Sequence, residues 1–172
     1  VSNIITTTGF GYGDTVQWPL FSQVILLLLM CLGGSAGSTA GGFKVIRAII
    51  IGRIAKNQIL STLSPNRVLT MHINGAVLDK DTQHKVLKYL AVYILIIAAL
   101  IFIISLDNNN LMTVTSAVIS CFNNIGPMIG TTETFSIYSP FSKFLLSLAM
   151  IAGRLEIYPI LLLFLPRTWS NR

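Results

Sequence analysis

Residues 111–127 read LMTVTSAVISCFNNIGP, and this stretch decides the fold. Leu111 to Phe122 is an uncharged, largely apolar run of twelve residues that stops at Asn123-Asn124-Ile125-Gly126-Pro127. As a helix it reaches about 18 Å, well short of the roughly 30 Å hydrocarbon core of a bilayer. Such a segment enters a membrane and stops inside it. Before it lies Tyr89–Leu106, eighteen residues without a charge between Lys88 and Asp107, which is long enough to span. The polar turn Asp107-Asn108-Asn109-Asn110 joins the two and is expected outside. After the short run comes a polar stretch with Glu133 up to Pro140. A last apolar segment runs from Phe144 to Pro166, interrupted at Gly153-Arg154-Leu155-Glu156 and at Pro159. Spanning helix, outer turn, re-entrant helix, polar turn, spanning helix is the plan of a pore-loop unit.

Composition agrees with a membrane setting. The chain has 172 residues, 53% hydrophobic and only 10% charged, where a soluble domain carries about a quarter charged. The net charge of +6 therefore reads as a topology signal before it reads as affinity for nucleic acid, and no nucleic-acid partner is expected. Eight of the twelve Lys and Arg residues fall between Lys44 and Lys88, against only Asp79 and Asp81. That excess puts the connection in the cytoplasm. Pro65, Asn66, Asn74 and Gly75 punctuate it, and a small hairpin is expected around Ala76-Val77-Leu78. Cys31 and Cys121 have no CxxC partner, so neither a disulfide nor a metal site is expected. The opening at Val1-Ser2-Asn3 suggests a fragment with an upstream part missing.

The pore-loop plan occurs twice, the first time cut short. Leu20–Leu32 is an apolar run of about 20 Å if helical. Ten small residues follow, Gly33, Gly34, Ser35, Ala36, Gly37, Ser38, Thr39, Ala40, Gly41 and Gly42, and apolar sequence resumes at Phe43. This reads as one membrane helix broken in its middle, which is tolerated only where the break is buried in protein or lines a wet cavity. Gly9 and Gly126 end the two re-entrant elements. Each is followed by a proline, Pro19 or Pro140, and then by an apolar helix with glycine near its middle.

Three constellations carry chemistry. Thr7-Thr8-Gly9-Phe10-Gly11 has the character of the Thr-Val-Gly-Tyr-Gly strands whose backbone carbonyls replace an ion's water shell. Alone it also fits an ordinary loop; repeated as Asn124-Ile125-Gly126-Pro127 at the matching place, it is a stronger signal. In the run from Gly33 to Gly42, the spacing Gly37–Gly42 resembles a nucleotide-binding loop, but Phe43 stands where Lys is needed. A helix-packing stripe would keep small residues on one face only; here every position is small, as in a flexible mid-membrane loop. Arg154, twelve residues before Pro166, would lie deep in the membrane if the segment were one helix, and intramembrane charges usually mark a pathway or gate. A salt bridge that merely locks helices is the rival. Glu156, two residues on, does not share its face.

The stretches TTTGFGYGD, GGSAGSTAGGFKVIR, FNNIGPMIG and GRLEIYPILLLFLPRTW together resemble the C-terminal part of the Trk-type bacterial potassium transporters, the TrkH/KtrB superfamily, closest to its TrkH branch. The resemblance implies an all-α integral membrane fold of four pore-loop repeats around one pore. It divides this chain into the end of the third repeat (1–60), a cytoplasmic connection (61–85) and the fourth repeat (86–172). It implies potassium-binding filter positions at Thr7, Thr8, Gly9, Phe10, Asn124, Ile125, Gly126 and Pro127, with the ion itself at Thr7, Thr8, Asn124 and Ile125. It implies a gate made of the Gly33–Gly42 loop with Arg154 near it. It further implies a multi-pass protein of the bacterial inner membrane surrounded by lipid, a homodimer, a cytosolic TrkA-type nucleotide-binding regulatory subunit, and no cofactor beyond potassium as substrate.

The leading reading is potassium uptake without enzymatic chemistry, since no paired carboxylates or nucleophile–base set is present in the sequence. Two others stand beside it: a non-conducting truncated remnant, and a sodium-conducting relative. Two further pore-loop units upstream of Val1 would separate the first from the remnant, while these two filters do not separate potassium from sodium.

Overall fold

The computed structural model describes residues 1–10, 15–35, 41–63, 72–73, 76–77, 79–131 and 135–155. Among the described residues, six α-helices carry the architecture: α1 (Ser2–Ile5), α2 (Leu20–Leu32), α3 (Val45–Leu63), α4 (Lys80–Ile104), α5 (Leu111–Phe122) and α6 (Pro140–Arg154). Between α3 and α4 sits a minimal antiparallel hairpin, β1 (His72–Ile73) with β2 (Ala76–Val77), in register His72 to Val77. Short 3-10 turns at Thr15–Gln17 and Phe135–Ile137 precede α2 and α6.

Local sequence explains where these helices begin and end. Pro140 stands in the first turn of α6, where its missing N–H is harmless, and Ser139 Oγ accepts from Ser142 N–H as a cap. Asp107 Oδ2 accepts from Ser139 N–H at 3.1 Å, which pins the C-terminal end of the α4 region to the start of α6. The turn after α4 closes with Asn108 in the left-handed region (φ 57°), a conformation asparagine tolerates. Among the described residues, one helical stretch, Asp81–Asp107, is long and apolar enough to cross a membrane.

The short helix α5 is the centre of the packing. Nine of its twelve residues are buried, whereas α2 buries only Gln23, Leu26 and Met30, and α6 only Ser142, Leu146 and Ala149. Both flanking helices thus bury one stripe spaced three and four residues apart. On the α2 side, Leu26 and Met30 pack with Ile119, Ile125 and Ile129. On the α6 side, Leu146 packs with Val114, Ala117, Val118 and Cys121. Outward faces are apolar instead of charged: Phe21, Leu95, Phe102 and Phe144 are exposed. Such a surface suits lipid or further protein.

The boundaries of α2 and α5 coincide with the apolar runs read from the sequence, and the hairpin falls within the punctuated basic segment. Other edges moved. Helix α4 starts at Lys80, nine residues before its charge-free stretch, because hydropathy marks the apolar length and a helix continues into water. Helix α6 starts at Pro140, before Phe144. Helix α3 runs on to Leu63, carrying Arg47, Arg53 and Lys56. Gly11, Ala36, Gly37, Ser38, Thr39, Ala40, Pro65, Asn66, Arg67, Asn74, Gly75, Leu78, Glu133, Glu156, Pro159 and Pro166 lie outside the described residues.

Candidate functional site

The strand after α1 alternates its backbone hand. Thr7 takes φ 53° and Gly9 φ 76°, on either side of Thr8. The strand after α5 repeats the device: Asn124 at φ 56° and Gly126 at φ 108°, on either side of Ile125. Both strands thus place left-handed residues at alternate positions, a backbone that ordinary strands do not adopt. For a β-branched residue such as Thr7 this backbone is a true outlier and costs about 1–3 kcal/mol. The two strands are neighbours. A β carbon on Gly9 would collide with the Ile125 carbonyl oxygen.

Local bonds hold each strand. Asn3 Nδ2 donates to Phe10 O at 2.9 Å, Thr8 N–H donates to Asn3 O at 3.0 Å, and the Thr6 and Thr8 hydroxyls meet at 2.7 Å. In the second strand two serines of α5, four residues apart and so on one face, do this work. Ser120 Oγ accepts from Gly126 N–H at 3.0 Å. Ser116 Oγ accepts from Ile129 N–H at 3.1 Å and lies 2.9 Å from Ile129 O. Both serines are wholly buried. Sequence reasoning passed over them; the signal was a serine pair at i, i+4 in a short apolar helix that leads into a filter-like strand. The Ile125 side chain points into the apolar cluster with Leu26 and Met30, leaving its carbonyl for Gly9.

The break between α2 and α3 closes on itself directly under α5. Gly33, Gly34, Gly41 and Gly42 are buried, and Ser35 is exposed. A β carbon on Gly33 would lie 2.7 Å from Gly41 O, and Val45 N–H donates to Gly34 O at 3.1 Å. The two edges of the break therefore touch. They meet around Asn123, the residue after α5. A β carbon on Gly41 would sit 2.7 Å from Asn123 O, and one on Gly42 3.0 Å from Asn123 Oδ1. Asn123 Nδ2 donates to Met30 O at 2.8 Å, and Tyr93 Oη donates to Asn123 Oδ1 at 3.0 Å. Its neighbour Asn124 donates through Nδ2 to Met150 O at 3.0 Å, which ties the second strand to α6.

Helix α6 crosses the end of α5 at Gly153, where any β carbon would collide with Phe122 O. Arg154 follows as the last residue of α6, and it is exposed in this chain. Helix α6 ends there, with Leu155 as its cap. Cys31 and Cys121 are both free thiols.

Residues 2–171 match the family model TrkH, described as a cation transport protein. The chain belongs to the TrkH family. It is 31% identical over 172 residues to the Trk system potassium uptake protein TrkH of Escherichia coli (strain K12), covering 99% of this chain and 36% of that protein. Against the Trk system potassium uptake protein TrkG of the same organism it is 31% identical over 171 residues, 99% of this chain and 35% of that one. The crystal structure of the potassium transporter TrkH from Vibrio parahaemolyticus superposes with a TM-score of 0.88 at 32% identity, over 97% of this chain and 36% of that one. The chain spans about a third of the length of the curated relatives it matches. The fold class is accordingly that of a TrkH-type membrane transport protein, all-α apart from the two-residue strands, and the family is one of transport proteins, not enzymes.

Proposed function

We propose that this chain supplies the third filter strand, the gate beneath it and the fourth pore-loop unit of a potassium-uptake protein in the bacterial inner membrane. The observation that carries the reading is the matched alternation at Thr7-Thr8-Gly9 and Asn124-Ile125-Gly126, in two strands that adjoin at Gly9 and Ile125. In this reading the carbonyls of Thr7, Thr8, Asn124 and Ile125 take the place of water around potassium, the substrate, while Phe10 and Pro127 finish the strands. Half of the coordination comes from this chain and half from two upstream pore-loop units. The names of the relatives, potassium uptake proteins and a potassium transporter, support potassium as the ion.

The break from Gly33 to Gly42 acts as the gate: its edges are buried and touching, and they lie against the residue that leads into the fourth filter. Arg154 lies at the end of α6 next to the glycine that touches α5, and in this reading it acts on that gate. The protein works as a homodimer with a cytosolic TrkA-type nucleotide-binding subunit, for which the basic segment between α3 and α4 is the docking face. Expression of the intact protein in bacteria lacking their own potassium uptake tests the reading. Growth at limiting potassium should be restored by the parent and lost with Gly9→Asp. Equal uptake of sodium and potassium by the parent would overturn the potassium assignment.

A further inference from the structure

We propose that Asn123, held in place by Tyr93, is the joint that positions the edges of the glycine-rich break against the fourth filter strand. The inference rests on reading those strands as a filter and the break as a gate. Asn123 is fully buried and sits between α5 and the strand at Asn124. Its side chain is committed in two directions: Nδ2 to Met30 O, and Oδ1 to the Tyr93 hydroxyl. Met30 lies in the last turn of α2, where the helix leaves carbonyls without an intrahelical partner. Asn123 therefore caps the broken end of α2 from another repeat. On its other side the backbones of Gly41 and Gly42 rest against its carbonyl and its Oδ1. One residue touches both edges of the break.

The Met30 carbonyl, which can only accept, decides which way the amide faces: it takes Nδ2–H, and that leaves Oδ1 to accept from the Tyr93 hydroxyl. A flipped amide would set oxygen against oxygen at Met30. The Tyr93 ring is itself fixed: 5% exposed, 5.3 Å from the Phe122 ring and 5.6 Å from the Phe43 ring. Phe43 directly follows Gly42, so the same aromatic group packs against the far edge of the break. A buried network with every member satisfied holds one geometry, and losing one bond releases the rest. Neither residue touches the ion in this scheme; both are positioning residues.

The test reads the position of the break without relying on transport. Ser35→Cys is placed in the intact protein after Cys31→Ala and Cys121→Ser, and its reaction with a small thiol reagent is timed in open membrane vesicles. Tyr93→Phe, which removes one oxygen and keeps the ring, should speed labelling about three- to tenfold, the effect of losing one buried hydrogen bond. Asn123→Ala should do so as much or more, and adding Tyr93→Phe to it should change nothing further. Unchanged labelling in Tyr93→Phe at equal abundance would overturn the joint, as would full additivity of the two substitutions. Potassium-analogue flux, measured beside it, separates the two readings: faster labelling in a protein that moves no potassium upholds the joint and overturns the ion assignment.

Discussion

Gly9 and the carbonyl of Ile125 meet so closely that no side chain fits between the two strands they belong to. The contact joins elements more than a hundred positions apart in sequence. It makes Gly9 doubly constrained, by its positive φ and by its neighbour, whereas Gly126 has a positive φ but nothing within 4 Å of a β carbon.

The two glycines should therefore differ under substitution. Gly126→Ala meets only backbone strain, of about 1–2 kcal/mol. Gly9→Ala adds a collision with rigid backbone and should abolish selective uptake, while Gly126→Ala keeps a measurable fraction. Potassium uptake at matched membrane abundance checks this. Equal, near-parental uptake by both variants would remove these strands from the ion path.

Ser116 and Ser120 offer a graded test of how α5 holds the fourth strand. Ser116→Ala leaves the N–H of Ile129 without its partner, and Ile129 is 1% exposed. An orphaned buried donor costs about 1–3 kcal/mol. Ser120→Ala frees the N–H of Gly126, a part-buried bond on an exposed residue, so its cost is smaller. The expected order is a larger fall in thermal stability for Ser116→Ala, read in detergent by unfolding temperature. Both should lower the ratio of potassium to sodium uptake. The reverse stability order would mean that these bonds do not fix the strand.

Sidedness follows from the basic segment. Lys56 on α3 and Asn110 at the start of α5 are both exposed. Single cysteines at these positions, with Cys31 and Cys121 removed, should react with an impermeant reagent from the inside and the outside respectively. Labelling of both from outside intact cells would invert or abolish the proposed topology.

Much of this fold was legible because lipid imposes blunt patterns. Leu20–Leu32 and Leu111–Phe122 are bounded by small or polar residues, and the helices stop where those begin. The start of α4 was not legible, since nothing in hydropathy marks a helix that continues into water. Of the site, the glycines could be read from their chemistry. The left-handed Thr7 could not, because threonine resists that backbone and only the surrounding bonds impose it. Asn123 was invisible for a different reason: its partner Met30 is 93 residues away, and such a bond leaves no local pattern.

The gate prediction turns on the closure of the break. Gly33 and Gly41 are in contact, and Gly34 O accepts from Val45 N–H at 3.1 Å. The described edges of the break already meet, so removing Ser35 to Thr39 should leave α2, α3 and the Asn123 contacts standing. What it removes is the material available to obstruct the pore. Glycine also resists helix formation by up to about 1 kcal/mol per position relative to alanine, so a run of this composition does not heal into a helix that would carry a fixed plug. The deletion should raise cation flux about tenfold or more and weaken its dependence on any regulatory subunit. Arg154→Ala should act in the same direction but less, because an exposed arginine is screened by solvent. Flux through purified protein in liposomes, with and without the regulatory subunit, reads both. If the deletion variant inserts, keeps its thermal stability and conducts no faster than the parent, the break is a structural hinge and the obstruction lies elsewhere in the pore.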